Sequence, residues 1–167
     1  MLICLDESIV LRRITELDTD FVLSLLNNES IKNNFPRTKD ITLKDHETFL
    51  NKLSNKNLYW IIEKDKIPVG TISLYDINYD HKRAEWGRLM ILPKYRNQDI
   101  GKLALKEIIN YSFLKLKLHK IYCYVMENND IALKMYQDLG FKIKGILKDH
   151  YYINNKYIDY YLLELLN

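Results

Sequence analysis

Cysteine, proline and glycine are scarce in this 167-residue chain, with two, three and five of each. Cys4 and Cys123 stand far apart with no Cys-x-x-Cys spacing, which argues against a disulfide framework and against structural zinc. No metal site is expected. With so little proline and glycine there is no Pro/Gly-rich linker, and neither an internal repeat nor a low-complexity tract occurs. One domain over residues 1–167 is the expectation, at roughly 100–200 residues per domain. An excess of one charge sign is also missing. Twenty-five Lys+Arg against 22 Asp+Glu gives +3, spread along the chain, a balance that does not point to nucleic acid. No apolar run is long enough to span a bilayer, and Asp6 and Glu7 occupy positions where a secretory signal is apolar. The expectation is a cytoplasmic protein that binds neither membrane nor nucleic acid. In such a protein the sequon Asn28-Glu29-Ser30 carries no weight.

What is present is apolar and aromatic. At 47% hydrophobic residues the chain is not disordered. A chain of this size buries roughly 68–70% of its unfolded surface. Thirteen tyrosines fit either an aromatic-lined cleft or a tyrosine-rich surface. Residues 9–14 read as a strand. Asp18 or Thr19 can cap a helix with Phe21, Val22, Leu25 and Leu26 on one face, and Thr42 caps a second with Phe49, Leu50 and Leu53. Between them, residues 27–40 are polar, contain Pro36 and read as a long, functional loop. Three strands follow at 58–63, 69–75 and 85–92, then a helix at 100–118, a strand at 121–126 and a helix at 130–139 closed by Gly140. The tail holds two strands around Asn154-Asn155. This order predicts an α/β protein around one mixed sheet.

The stretch from Leu89 to Lys102 is a strand, a proline-marked break, a polar turn and the start of a long helix. The first N–H groups of a helix lack internal partners and, with the macrodipole, suit an anionic group such as a phosphate. Gly101 admits close backbone approach, and Arg96 or Lys102 adds charge. The plainer alternative is an ordinary strand-to-helix turn with one glycine.

The run from Ile91 to Leu105, followed by Asn129-Asp130-Ile131-Ala132-Leu133-Lys134-Met135-Tyr136 and Leu139-Gly140-Phe141, resembles the GNAT acetyltransferases. Their hallmarks are Arg/Gln-x-x-Gly-x-Gly/Ala after a strand, then Asn-x6-Tyr and Leu-Gly-Phe. The chain looks most like the branch of ribosomal-protein N-terminal, spermidine and nucleotide-linked amino-sugar acetyltransferases, the last including the pseudaminic acid pathway. The resemblance implies the GNAT fold, a mixed, mostly antiparallel sheet of about seven strands flanked by about four helices. It also implies that acetyl-CoA lies against Leu89, Met90 and Ile91, with its pyrophosphate on the turn formed by Arg96, Asn97, Gln98, Asp99, Ile100, Gly101 and Lys102. Asn129 would bond the cofactor arm and Tyr136 would sit by the sulfur. Asp99 departs from the pattern, standing where the family has its first glycine. Asp tolerates a left-handed backbone, so the turn survives, while its carboxylate should weaken cofactor affinity.

Acetyl transfer needs a neutral amine, an N–H donor for the developing oxyanion, and a proton for the leaving thiolate. An alkyl amine of pKa about 10.4 is protonated at neutral pH. The backbone at Met90 or Ile91 could donate to the oxyanion. Tyr136 follows Asn129 by two helical turns and shares its face, and a phenol of pKa about 10 can give the proton; the alternative is a packing tyrosine. Glu85 resembles a glutamate common in the branch and could act as base through water, or could merely pair with Arg83 or Arg88. His46 and Glu47 are rival bases. With neither cysteine in a nucleophile setting, direct transfer is expected.

For the acceptor, Ile41-Thr42-Leu43-Lys44-Asp45-His46-Glu47-Thr48-Phe49 resembles the second helix of the amino-sugar enzymes, which implies that His46 binds a phosphate and Phe49 stacks on a base or sugar. The alternative for Phe49 is core filler. The run Ile77-Asn78-Tyr79-Asp80-His81-Lys82-Arg83-Ala84-Glu85 looks equally like the spermidine enzymes. Residues 27–53 carry Glu29, Asp40, Asp45 and Glu47 against Lys32, Arg37, Lys39, Lys44 and Lys52, a wall too basic to favour a polyamine. The expected order is a nucleotide-linked amino sugar, a protein N-terminus, then a polyamine. A non-catalytic acyl-CoA-binding module is the rival of another class. Tyr151, Tyr152, Tyr157, Tyr160 and Tyr161 could form a homodimer face or be alternating outward positions.

Overall fold

The computed structural model describes residues 2–4, 8–36 and 39–167, without the side chains of Leu2 and Cys4. Arg37 of the charge count above, and Asp6 and Glu7, lie outside the described residues. Eight strands form one sheet: β1 (Leu2–Cys4), β2 (Ile9–Arg13), β3 (Leu58–Lys64), β4 (Ile67–Asn78), β5 (Arg83–Ile91), β6 (Lys120–Met126), β7 (Lys142–Ile153) and β8 (Lys156–Leu166). Their spatial order is β1-β2-β3-β4-β5-β6-β8-β7, antiparallel everywhere except between β5 and β6. The helices are α1 (Thr19–Leu26), α2 (Glu29–Lys32), α3 (Leu43–Leu50), α4 (Ile100–Asn110) and α5 (Asp130–Asp138). The structure thus adds two short elements to those expected. One is the three-residue edge β1; the other is α2, a single turn inside the long loop, capped where Asn28 accepts from Ser30 N.

The sheet is central because β3 is apolar on both faces. Tyr59, Trp60, Ile61 and Ile62 are all buried, and the two-residue period of a strand divides them. Trp60 and Ile62 join Ile72, Leu74 and Trp86 in the core beneath α4, while Tyr59 and Ile61 meet Ile14 and Val22 beneath α1 and α3. Truncating a buried tryptophan such as Trp60 to alanine costs about 3–5 kcal/mol.

Local signals hold at the predicted ends. Thr42 forms a capping box with Asp45, and Gly140, at φ +93°, donates to Gln137 O as the left-handed stop of α5. Asp65-Lys66 and Asn154-Asn155 have positive φ throughout, as tight hairpin turns require. Asp18 precedes α1 without a side-chain cap. Its carboxylate instead takes two bonds from Arg12, at 2.6 and 2.8 Å. The helix expected over 100–118 loses α geometry after Asn110, where a π-turn spans Tyr111–Lys115.

Parallel β5 and β6 pair at only three positions, Arg83–Lys120, Ala84–Ile121 and Glu85–Tyr122. Beyond Glu85 the two strands separate. No described helix is long and apolar enough to cross a membrane.

Candidate active site

The separation of β5 from β6 opens a cleft of about 550 Å³. One wall is β5 from Trp86 to Ile91, the other β6 from Cys123 to Met126; the first turn of α4, Asn129 and Tyr136 at α5, and Tyr160 of β8 complete it. Leu92 N–H donates to Val69 O across the β4 pair. Strand alternation therefore keeps Met90 turned toward β4 and turns the backbone N–H and C=O of Ile91 to the open side. Of the two oxyanion donors expected, only Ile91 faces the cleft.

At the head of the cleft Pro93–Tyr95 forms a 3₁₀ turn, and Asn97 and Asp99 take left-handed backbones at φ +57° and +55°. Asp99 adopts the conformation expected of it, and its exposed carboxylate makes no cap hydrogen bond, so it does not plug the junction. The first backbone bond into α4 runs from Leu103 N to Asp99 O. The N–H groups of Ile100, Gly101 and Lys102 have no partner among the described residues. A Cβ on Gly101 would meet only ordinary contacts, 3.6 Å from Ile91. Its smallness is not demanded by the protein's own packing and leaves room above the turn. Bare N–H groups, an open strand edge and this room fit a diphosphate with an extended arm.

The side chains of this turn divide. Lys102 is exposed at the cleft. Gln98 accepts from Lys64 Nζ at 2.8 Å. Arg96 donates to Ile91 O and to Ser30, each at 3.3 Å, tying α2 to the end of β5. Asn129 caps α5 by accepting from Ala132 N at 3.2 Å, which engages its oxygen and leaves its NH₂ to donate. Tyr136 shares the cleft with it, as the two-turn spacing predicted. Its ring meets Trp86 edge-on, centroids 4.8 Å apart, and burial pushes its phenol up, so it is protonated at neutral pH. Its hydroxyl has no partner among the described residues.

Glu85 faces the other side of β5. It pairs with neither Arg83 nor Arg88; Tyr75 Oη donates to its Oε1 at 2.6 Å. Burial raises the Glu85 carboxyl above its ordinary range, the Tyr75 bond opposing it. Arg83 bonds Tyr122 at 2.9 Å instead. Arg88 is the extra residue of a β-bulge, at φ +51° between the pairs Thr71–Met90 and Ser73–Gly87. Its guanidinium lies 4.6 Å from the Tyr75 ring and 5.1 Å from the Phe49 ring, with no carboxylate partner among the described residues.

One acceptor-side expectation needs correction. His46 is 1% exposed and does not line the cleft, so it offers no surface to a phosphate. On α3 its ring stacks beside that of Phe49 one turn later, 6.0 Å between centroids. Phe49 is half-buried against Tyr59 with Arg88 over its ring, which fits its alternative as packing. Sequence reasoning also missed Tyr75, and it gave Arg88 and Tyr160 other places than those beside Tyr75 and the cleft. No local signal marks them, because their neighbours come from other strands.

Residues 22–141 match the acetyltransferase (GNAT) family. The chain belongs to that family. A spermidine N(1)-acetyltransferase of Vibrio cholerae is 28% identical over 158 residues, covering 93% of this chain and 91% of the relative. The acetyltransferase PseH of Campylobacter jejuni is 32% identical over 156 residues, covering 90% of this chain and 96% of that one. Among solved structures, the Vibrio cholerae spermidine N-acetyltransferase in complex with CoA and spermine superposes with a TM-score of 0.89 at 27% identity, over 96% of both chains. The sheet described above, with its splayed parallel pair, is thus the GNAT fold, and the chain is an acetyltransferase.

Proposed function

We propose that this GNAT acetyltransferase binds acetyl-CoA in the cleft between β5 and β6 and transfers the acetyl group directly to a primary amine. The carrying observation is a juxtaposition. The open edge at Leu89–Ile91 continues into the N–H groups of α4, and the Tyr136 hydroxyl stands in the same cleft, both without a partner among the described residues. Bound acetyl-CoA would supply the activated thioester. The turn of Asn97, Gln98, Asp99, Ile100, Gly101 and Lys102 holds its diphosphate through backbone N–H groups, and Lys102 adds charge. Arg96 positions the turn through Ile91 and Ser30. Leu89 and Met90 shape the wall beside the arm, and the Asn129 amide donates to it. Ile91 N–H stabilises the negative charge developing on the carbonyl oxygen. Tyr136 gives its proton to the departing sulfur, and Glu85 takes the proton of the amine. Cys123 has no nucleophilic part here, because burial raises its thiol far above neutrality.

For the acceptor, the relatives support a polyamine over the nucleotide-linked amino sugar ranked first from sequence. The Vibrio enzyme resembles this chain over nearly its whole length and its structure holds spermine. His46 and Phe49, on which the amino-sugar ranking leaned, are engaged within the fold. A second reading, an amine carrying an anionic group, draws on the Arg88 guanidinium, which has no carboxylate partner among the described residues, and on the similarity to PseH.

Calorimetry with CoA, then thiol release from acetyl-CoA with spermidine and other amines, tests the proposal. CoA binding with turnover of spermidine is the expected result. Binding without turnover of any amine would reduce the protein to an acyl-CoA-binding module, and no heat with CoA would remove the proposal altogether.

A further inference from the structure

Glu85 is assigned above as the base, yet its side chain does not line the cleft, whereas its neighbours Trp86 and Gly87 do. One side chain lies nearer to Gly87 than the carboxylate does. Tyr75 is the cross-strand partner of Glu85. Its hydroxyl donates to Glu85 Oε1 at 2.6 Å and lies only 2.9 Å from where a Cβ on Gly87 would be. Real Cβ atoms do not approach that closely, so a larger residue at 87 would displace the hydroxyl. Tyr75 is not itself among the lining residues; its hydroxyl lies directly behind Gly87, whose backbone lines the cleft. With its proton given to Glu85, that oxygen keeps lone pairs to accept from the other side.

The surroundings hold this arrangement. Ser73 Oγ donates to Gly87 O at 3.0 Å and Thr71 Oγ1 to Arg88 O at 2.9 Å, fixing the bulge. The Arg88 guanidinium covers the Tyr75 ring, 4.6 Å from its centroid. The charged and titratable groups around the pair are Asp76 on β4, Arg88 on β5, Tyr122 and Cys123 on β6, and Tyr160 on β8. Burial and Asp76 favour the protonated Glu85; the Tyr75 hydrogen bond and Arg88 favour the carboxylate.

We propose that Tyr75 is the relay through which Glu85 deprotonates the acceptor. The ammonium N–H bond breaks as its proton passes to Tyr75 Oη, while the Tyr75 O–H proton passes to Glu85 Oε1. The products are a neutral amine, an unchanged tyrosine and a protonated glutamate, so charge and protons balance without a co-reactant. The inference rests on Glu85 as the base.

The full chain with acetyl-CoA and spermidine tests it, kcat/KM being followed across pH for the parent, Tyr75→Phe, Gly87→Ala and Glu85→Gln. Glu85→Gln should abolish the acidic limb of the profile. Tyr75→Phe should lose about 10- to 100-fold in kcat/KM at neutral pH, the size of a general-base contribution. It should also move the acidic limb to higher pH, because the bond that favours the carboxylate is gone, with KM for acetyl-CoA unchanged. Gly87→Ala should act in the same direction. If Glu85→Gln is impaired while Tyr75→Phe keeps the parent profile, the relay is overturned and the base stands. If Glu85→Gln retains parental activity, the base reading falls and takes the relay with it. Equal loss at every pH together with a lowered Tm would mark Tyr75 as a packing residue and overturn the relay.

Discussion

Tyr136 meets Trp86 edge to face, with ring centroids 4.8 Å apart and planes at 83°. The contact is made by the ring, and the hydroxyl is left free in the cleft. Tyr136→Phe therefore removes the proposed proton donor while keeping the packing. It should lower kcat about 10- to 100-fold with KM for acetyl-CoA nearly unchanged, and leave Tm within the small range of a surface-like change. Steady-state kinetics beside a thermal melt check this; an unchanged kcat would assign the thiolate another proton source.

Asp99 sits at φ +55° with an exposed carboxylate that caps nothing. Glycine takes that backbone freely, whereas other residues are charged roughly 1–2 kcal/mol for it, Asp at the low end. Asp99→Gly should raise Tm by about 2–4 °C for ~1 kcal/mol. It should also tighten CoA binding, since a negative charge leaves the turn proposed to hold the diphosphate. Calorimetry measures the second effect, and a variant that loses both binding and activity would contradict the placement of Asp99.

Arg88 holds a permanent positive charge between Phe49 and Tyr75. For a polyamine, a like charge near the second ammonium costs on the order of 1 kcal/mol, so Arg88→Met should raise kcat/KM for spermidine by about 5- to 10-fold. An amine bearing a phosphate or carboxylate should respond the opposite way. A fall with spermidine would place Arg88 in the structural support of β5 instead of acceptor selection.

His46 is buried, its Nε2 has no hydrogen-bond partner among the described residues, and burial lowers its imidazole below the ordinary value of about 6.5. The unfolded chain then binds a proton that the folded chain refuses. Stability contributed by neutral His46 is complete above about pH 6.5 and is lost as pH falls through the lowered folded value. Thermal melts between neutral and mildly acidic pH should show Tm falling, and His46→Leu should flatten that dependence. A parallel slope in the variant would assign it to other titrating groups.

Much of the machinery was legible along the chain because its causes are local. The strand-break-helix run ending at Gly101 announces bare N–H groups, since a helix start lacks partners wherever it occurs. Asn129 and Tyr136 share a face because two helical turns bring any such pair together. Thr42, Gly140 and the two hairpin turns act through their own backbones. His46 and Phe49 could not be read this way. The helical period of α3 says that they lie near one another, but not which of its faces meets β3 and β5.

Composition, period and capping thus determined the kinds and order of the main elements and the position of the strand-to-helix turn at Asp99–Gly101. Tertiary structure alone decided that β5 and β6 part after Glu85, that one extra residue in β5 throws Arg88 into a left-handed backbone, and that Tyr75 reaches Glu85 above Gly87. Each depends on register between strands, and a slip of one residue would turn every side chain to the opposite face. Local preference is written in neighbours along the chain; register is a free-energy balance over the whole sheet.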